Sequence, residues 1–128
     1  VFRVLNDKFY IDARGRKMPL STKFSKSVPL ILNNVDSVDL KILGEIGGYI
    51  EKNKFLNNHI SSLSFKNEDL IFTLNDFSYR INMSGFKEYD SKFKNYESFF
   101  LKVYNSGLLD SLSSINLNFK NQVIIQRK

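Results

Sequence analysis

The sequence predicts an α+β domain in which two helices pack on a largely antiparallel sheet, and three observations carry that prediction. Short β-branched and aromatic runs recur along the chain, separated by Gly, Pro, Asn and Asp punctuation. Two longer segments switch to the three- and four-residue spacing of a helix with one apolar face. The order is strands, helix, meander, helix, hairpin, which fits helices set on an antiparallel sheet rather than an alternating βαβ series. At 128 residues the chain has room for one such domain, taken as residues 1–128.

Each element has a local cause. Lys8-Phe9-Tyr10-Ile11-Asp12 and Met18-Pro19-Leu20 read as the limbs of a hairpin around Ala13-Arg14-Gly15-Arg16, where Gly15 can take a positive φ. Pro19 lacks an amide donor and points to an edge strand. Val28-Pro29-Leu30-Ile31-Leu32 is a further short strand, ended by Asn33-Asn34. Leu40, Leu43, Ile46 or Gly47, and Ile50 predict a helix from Asp39 to about Asn53, with Asp36 or Ser37 as its N-cap. Gly44, Gly47 and Gly48 weaken that helix, which implies close packing against it. Phe55-Leu56 closes the helical segment onto the sheet.

Three strands follow, over Ile60 to Lys66, Leu70 to Asn75 and Phe77 to Met83, with turns at Asn67-Glu68-Asp69 and Asn75-Asp76. Tyr79, Ile81 and Met83 share one face. The second helix is the clearest element, because Tyr89, Phe93, Tyr96, Phe100 and Val103 keep a four-three-four-three spacing between Glu88 and about Asn105. Ser106-Gly107 ends it, Gly107 suiting a left-handed cap. Asp110 to Ser114 reads as a polar linker, and Ile115 to Phe119 and Gln122 to Gln126 as a closing hairpin turned by Lys120-Asn121.

Composition excludes several classes. Hydrophobic residues make up 42% and charged residues 25%, so the chain has a core rather than the signature of disorder. With no Cys, that core rests on aromatic and aliphatic packing, not on disulfides or structural zinc. The longest apolar runs, such as Leu30-Ile31-Leu32 and Val123-Ile124-Ile125, fall far short of the ~20 residues that span a bilayer. A start at Val1, in what reads as folded sequence, leads to the expectation of a fragment of a longer protein, with any anchor or address upstream. The net charge is +6, and most of it sits in residues 1–27, where Arg3, Lys8, Arg14, Arg16, Lys17, Lys23 and Lys26 face only Asp7 and Asp12. Such a segment is a solvated face, or at most a contact for an acidic partner or a membrane surface.

No catalytic or cofactor-binding constellation emerges. His59 is the single histidine, a plain surface or junction residue with no companion for a metal set. Asp7 and Asp12 lie five apart and point to opposite faces of a strand, so they form no carboxylate dyad. Glu68-Asp69 and Asn75-Asp76 are turn residues, and Ser84-Gly85 lacks the context of a nucleophile elbow. Gly44, Gly47 and Gly48 match neither a phosphate loop nor a dinucleotide fingerprint. The expectation is therefore no enzyme activity, no metal and no cofactor. A nucleic-acid-binding module is the alternative, with Lys66, Phe72, Tyr79 and Arg80 as a stacking platform, yet no recognised nucleic-acid motif accompanies them.

The residues Phe9-Tyr10-Ile11-Asp12-Ala13-Arg14-Gly15-Arg16-Lys17-Met18-Pro19-Leu20-Ser21 resemble the segment that opens the β domain of the bacterial FtsQ/DivIB cell-division family. Val28-Pro29-Leu30 is similar to the short strand before that domain's first helix. Tyr104-Asn105-Ser106-Gly107-Leu108 and Ile115 to Val123 resemble its closing helix and final hairpin. The resemblance implies an FtsQ-like β domain, periplasmic, on a single-pass inner-membrane protein at the division septum, below a POTRA domain and a transmembrane helix. It implies binding to FtsB/DivIC-like and FtsL-like partners and no nucleic acid. It also implies that the FtsB/DivIC-like partner adds a strand at the C-terminal edge, here Phe119, Lys120, Asn121, Gln122, Val123, Ile124 and Ile125. The residues give a separate reason to look there. Val123-Ile124-Ile125 is apolar on both faces, as in a strand covered on both sides, and it is the last strand of the chain, leaving its outer edge without a later partner.

Overall fold

The computed structural model describes residues 2–4, 9–11, 13–19, 30–31, 40–66, 69–119 and 122–128. They divide into two compact units, Val1–Ser64 and Phe65–Lys128. The predicted α+β class holds, and antiparallel pairings predominate over parallel ones.

In the first unit, β2 (Phe9–Ile11) pairs antiparallel with both β1 (Phe2–Val4) and β3 (Lys17–Pro19). The predicted hairpin is therefore present, in the register Phe9↔Pro19 and Ile11↔Lys17. Pro19 lies in β3, whose one neighbour among the described residues is β2, as the missing amide requires. β4 (Leu30–Ile31) runs parallel to β1 and to β5 (Ile60–Lys66), giving the order β3-β2-β1-β4-β5. The predicted caps Asp36 and Ser37 lie outside the described residues.

α1 (Leu40–Lys52) buries Leu43, Gly44, Ile46, Gly47 and Ile50, the face that the spacing predicts. Gly44 and Gly47 are buried, and a Cβ on Gly48 would sit 3.4 Å from that of Ala13 in the hairpin turn, an ordinary van der Waals contact. α2 (Lys54–His59) is capped by Asn53, whose Oδ1 accepts the Leu56 amide at 3.1 Å.

In the second unit, β6 (Asp69–Leu74), β7 (Arg80–Ser84), β8 (Leu112–Phe119) and β9 (Gln122–Arg127) lie in that order. β6 and β7 are antiparallel, β7 and β8 parallel across α3 (Tyr89–Val103), and β8 and β9 antiparallel. Two boundaries differ from expectation. β7 starts at Arg80 rather than Phe77, because the chain bends through Asn75, Asp76 and Ser78 and turns the Phe77 ring onto Phe100 and Tyr79. Asp110 to Ser114 is not a linker. Gly107, at φ 79°, starts a 3₁₀ turn at Leu108–Ser111, and β8 begins at Leu112 so that Leu109 and Leu112 enter the core.

The core of this unit forms between α3 and one face of its sheet. Leu70, Phe72, Tyr79, Ile81, Met83, Ile115 and Leu117 are buried with Phe93 and Tyr96. Phe93 meets Phe72 edge to face, with ring centroids 5.4 Å apart. Lys92 is also buried, and its Nζ donates to the Ser84 carbonyl at 3.0 Å, tying α3 to the end of β7. Burial lowers its pKa, and the nearby Glu88 acts in the opposite sense.

The Tyr79 and Tyr96 hydroxyls meet at 2.5 Å inside this core. Burial pushes Tyr79 up to about 12, only partly offset by the bond to Tyr96, and burial together with Tyr79 pushes Tyr96 up as well. Both phenols are thus held neutral in the fold. A group whose pKa rises on folding stabilises the fold fully below its unfolded value and loses that contribution as pH climbs through its folded value. Tyr79 titrates near 10 when unfolded, so stability is expected to fall between pH 10 and 12. Urea midpoints measured across that range test this, and in a Tyr79→Phe/Tyr96→Phe double variant the fall should be smaller.

Candidate partner-binding edge

The β8–β9 hairpin is set by its register: Leu112↔Arg127, Ser114↔Gln126, Ile115↔Ile125, Asn116↔Ile124 and Phe119↔Gln122. Bulges fall between Leu112 and Ser114 and between Asn116 and Phe119, each placing an extra residue on β8. Polar groups pin the far end. Ser113 Oγ donates to the Gln126 carbonyl at 3.1 Å, Ser114 Oγ to Gln126 Oε1 at 3.2 Å, and the Lys128 amide to the Ser111 carbonyl at 2.9 Å.

The register sorts side chains into two faces. Phe72, Ile81, Ile115 and Ile125 form a row on the α3 side, and Ile71, Asn82, Asn116 and Ile124 a row on the other. In the second row Asn82 Nδ2 donates to Asn116 Oδ1 at 2.9 Å, which suits a face left to solvent. Val123 and Ile125 are half-buried, whereas Ile124 is 42% exposed. The expectation that this strand is covered on both sides is therefore corrected: its three apolar residues arise because one side packs toward α3 while the other stands open. Gln126, Arg127 and Lys128 are exposed.

Of the residues assigned to the edge, Val123, Ile124 and Ile125 lie along β9, which has β8 as its one neighbour among the described residues. Phe119 and Gln122 are opposed in the register, and Lys120 and Asn121 lie outside the described residues. Leu101 and Tyr104 are exposed apolar features outside the expected edge. They are 62% and 53% exposed at the end of α3, Tyr104 stacking on Phe100 at 5.9 Å. Their signal was present in the helical period, because Leu101 falls away from the stripe of Phe93, Tyr96 and Phe100.

Other candidates change character. His59 does end α2 at a helix-to-strand junction, but it is not a surface residue: it is 6% exposed and its ring stacks on Phe55 at 4.7 Å. The stacking platform is not available as drawn, since Phe72 and Tyr79 are buried and present no face to a base. Among the described residues no group of three or more His, Asp or Glu side chains is gathered as metal ligands would be, and no helix is long and apolar enough to cross a membrane.

The chain has no match among curated proteins. A protein family described as FtsQ/DivIB, C-terminal related, does match it over residues 1–125, through both units and into β9. The chain therefore belongs to the FtsQ/DivIB, C-terminal related family, which supports a role in cell division.

Proposed function

We propose that this chain is a non-enzymatic scaffold domain of the bacterial division complex, which binds an FtsB/DivIC-like partner by strand addition to β9 and gathers an FtsL-like partner with it. It works on the extracytoplasmic side of the inner membrane at the septum, as part of a membrane-anchored parent protein. The observation that carries this reading is β9 itself, an apolar strand at the end of its sheet order with Ile124 open to solvent. Main-chain pairing along such an edge supplies affinity, and alternate side chains supply selectivity. An edge of this kind left uncovered is an aggregation hazard, which favours its having an occupant.

The test is binding of the extracytoplasmic segment of an FtsB/DivIC-like protein to Ile124→Asp beside the unchanged protein. Ile124 touches the core least of the three apolar residues, so melting temperature should hold while affinity falls about tenfold, the loss expected from about 1–2 kcal/mol of apolar contact. Val123→Asp and Ile125→Asp should lower both, because their side chains are half-buried. Equal binding by Ile124→Asp and by Phe119→Ala, with both folded, places the dock elsewhere.

A further inference from the structure

The connection from β7 to α3 runs through Gly85, Phe86, Lys87 and Glu88, and both ends of it are left-handed. Gly85 has φ 72°, which suits glycine, whereas Glu88 has φ 57° and ψ 32° and is the one non-glycine residue at positive φ among the described residues. In that conformation the Glu88 side chain makes no capping bond to the first turn of α3. Holding a glutamate there weakens closure of the turn by about 5- to 30-fold, the equivalent of about 1–2 kcal/mol, so the surrounding structure must keep it in place.

One residue spans this turn. The Lys92 amide donates to the Glu88 carbonyl at 3.1 Å, and Lys92 Nζ donates at 3.0 Å to the carbonyl of Ser84, the last residue of β7. Burial works against the charge on Lys92, and the exposed Glu88 carboxylate works for it. Lys92 is 6% exposed, and a methionine could fill the same space without the cost of taking a charge out of water. Space filling therefore does not account for a lysine here, whereas its hold on both carbonyls does.

We propose that Lys92 is the latch of a strained strap, Gly85 to Ser91, whose release lets the first turn of α3 unwind by itself while the rest of the helix stays seated. The unwinding stops at Phe93, which is 1% exposed and packed on Phe72. The far end of α3 is closed independently. The Tyr104 amide donates to the Phe100 carbonyl at 2.9 Å, Ser106 Oγ donates to the Val103 carbonyl at 2.6 Å, and the Phe100 and Tyr104 rings stack. α3 thus opens from its start, and the strain at Glu88 favours that opening whenever Lys92 lets go. The motion carries Phe86 and Tyr89, half-buried in the closed strap, toward solvent at the end of β7.

Amide hydrogen exchange followed residue by residue tests this. Lys92→Met keeps the size of the side chain and removes the ammonium, so exchange at position 92 and at Phe93 should quicken by about 5- to 30-fold while that at Tyr104 stays the same. Glu88→Gly removes the strain and leaves every buried side chain in place. Alone it should slow exchange at those two amides, and combined with Lys92→Met it should return them to within about twofold of the unchanged protein. A Lys92 that only fills the core would loosen the turn equally with and without Glu88→Gly. That result, unchanged exchange in Lys92→Met, or faster exchange spread through to Tyr104 overturns the latch. Faster exchange in Glu88→Gly alone overturns the strain on which the latch acts.

Discussion

Gly15→Ala is expected to be among the most damaging single changes in the first unit. Gly15 sits at φ 81° in the turn between β2 and β3, and its backbone lies directly against the start of α1. A Cβ there would meet the Leu40 carbonyl oxygen, stand 2.6 Å from the Leu40 carbonyl carbon and lie 2.7 Å from the Lys41 Cα. All three are backbone atoms, so relief requires moving the helix or the hairpin rather than rotating a side chain. The left-handed conformation costs an alanine about 1–2 kcal/mol, and forced repacking adds about 1–3 kcal/mol. Gly107→Ala separates the two effects, because Gly107 has a similar φ of 79° but nothing near the added carbon. Urea unfolding should show Gly15→Ala losing clearly more than Gly107→Ala. Equal losses would mean that the turn does not press on α1.

Phe93→Ala should cost about 3–5 kcal/mol, the range for a fully buried aromatic replaced by a methyl group. Phe93 is 1% exposed and its edge-to-face contact with Phe72 joins α3 to β6. Few rearrangements can fill the space, since Tyr79 and Tyr96 of the same core are held by their mutual hydroxyl bond. Phe93→Leu should retain much of the loss-prone burial and fall between the two. Chemical denaturation of the three proteins checks the order, and a cost for Phe93→Ala under about 1 kcal/mol would show that α3 is not seated on this residue.

What could be read from the sequence followed the strength of the local signal. The period from Tyr89 to Val103 and the stop at Gly107 located α3 to one residue at its start and two at its end, because a one-sided helix repeats its signal over several turns. The hairpin around Gly15 was equally plain, since turn chemistry and strand composition agree there. The start of β8 was not legible. Asp110, Ser111, Ser113 and Ser114 look like a linker, and only tertiary burial of Leu109 and Leu112 makes them a turn and a bulged strand. The parallel pairing of β7 with β8 was equally hidden, as it depends on α3 carrying the chain across. At the candidate edge, three consecutive apolar residues were visible, but which of them face the core and which backbone groups remain outward depended on register. The helix-to-strand junction at His59 was legible, but its burial was not, because nothing beside it in the sequence reveals that its ring lies on Phe55.

The two bulges in β8 bear on how far pairing at the neighbouring strand can spread. Since both extra residues lie on β8, that strand is longer than β9 over the same span, and the hairpin must coil with β9 on its shorter path. Fibrils grow by stacking flat, in-register strands that each present the next template unchanged. A coiled edge offers one short stretch of matching geometry before it twists out of line with a straight neighbour. The coil shortens the stretch over which any added strand could stay in register with β9, which limits the hazard of an uncovered edge without removing it.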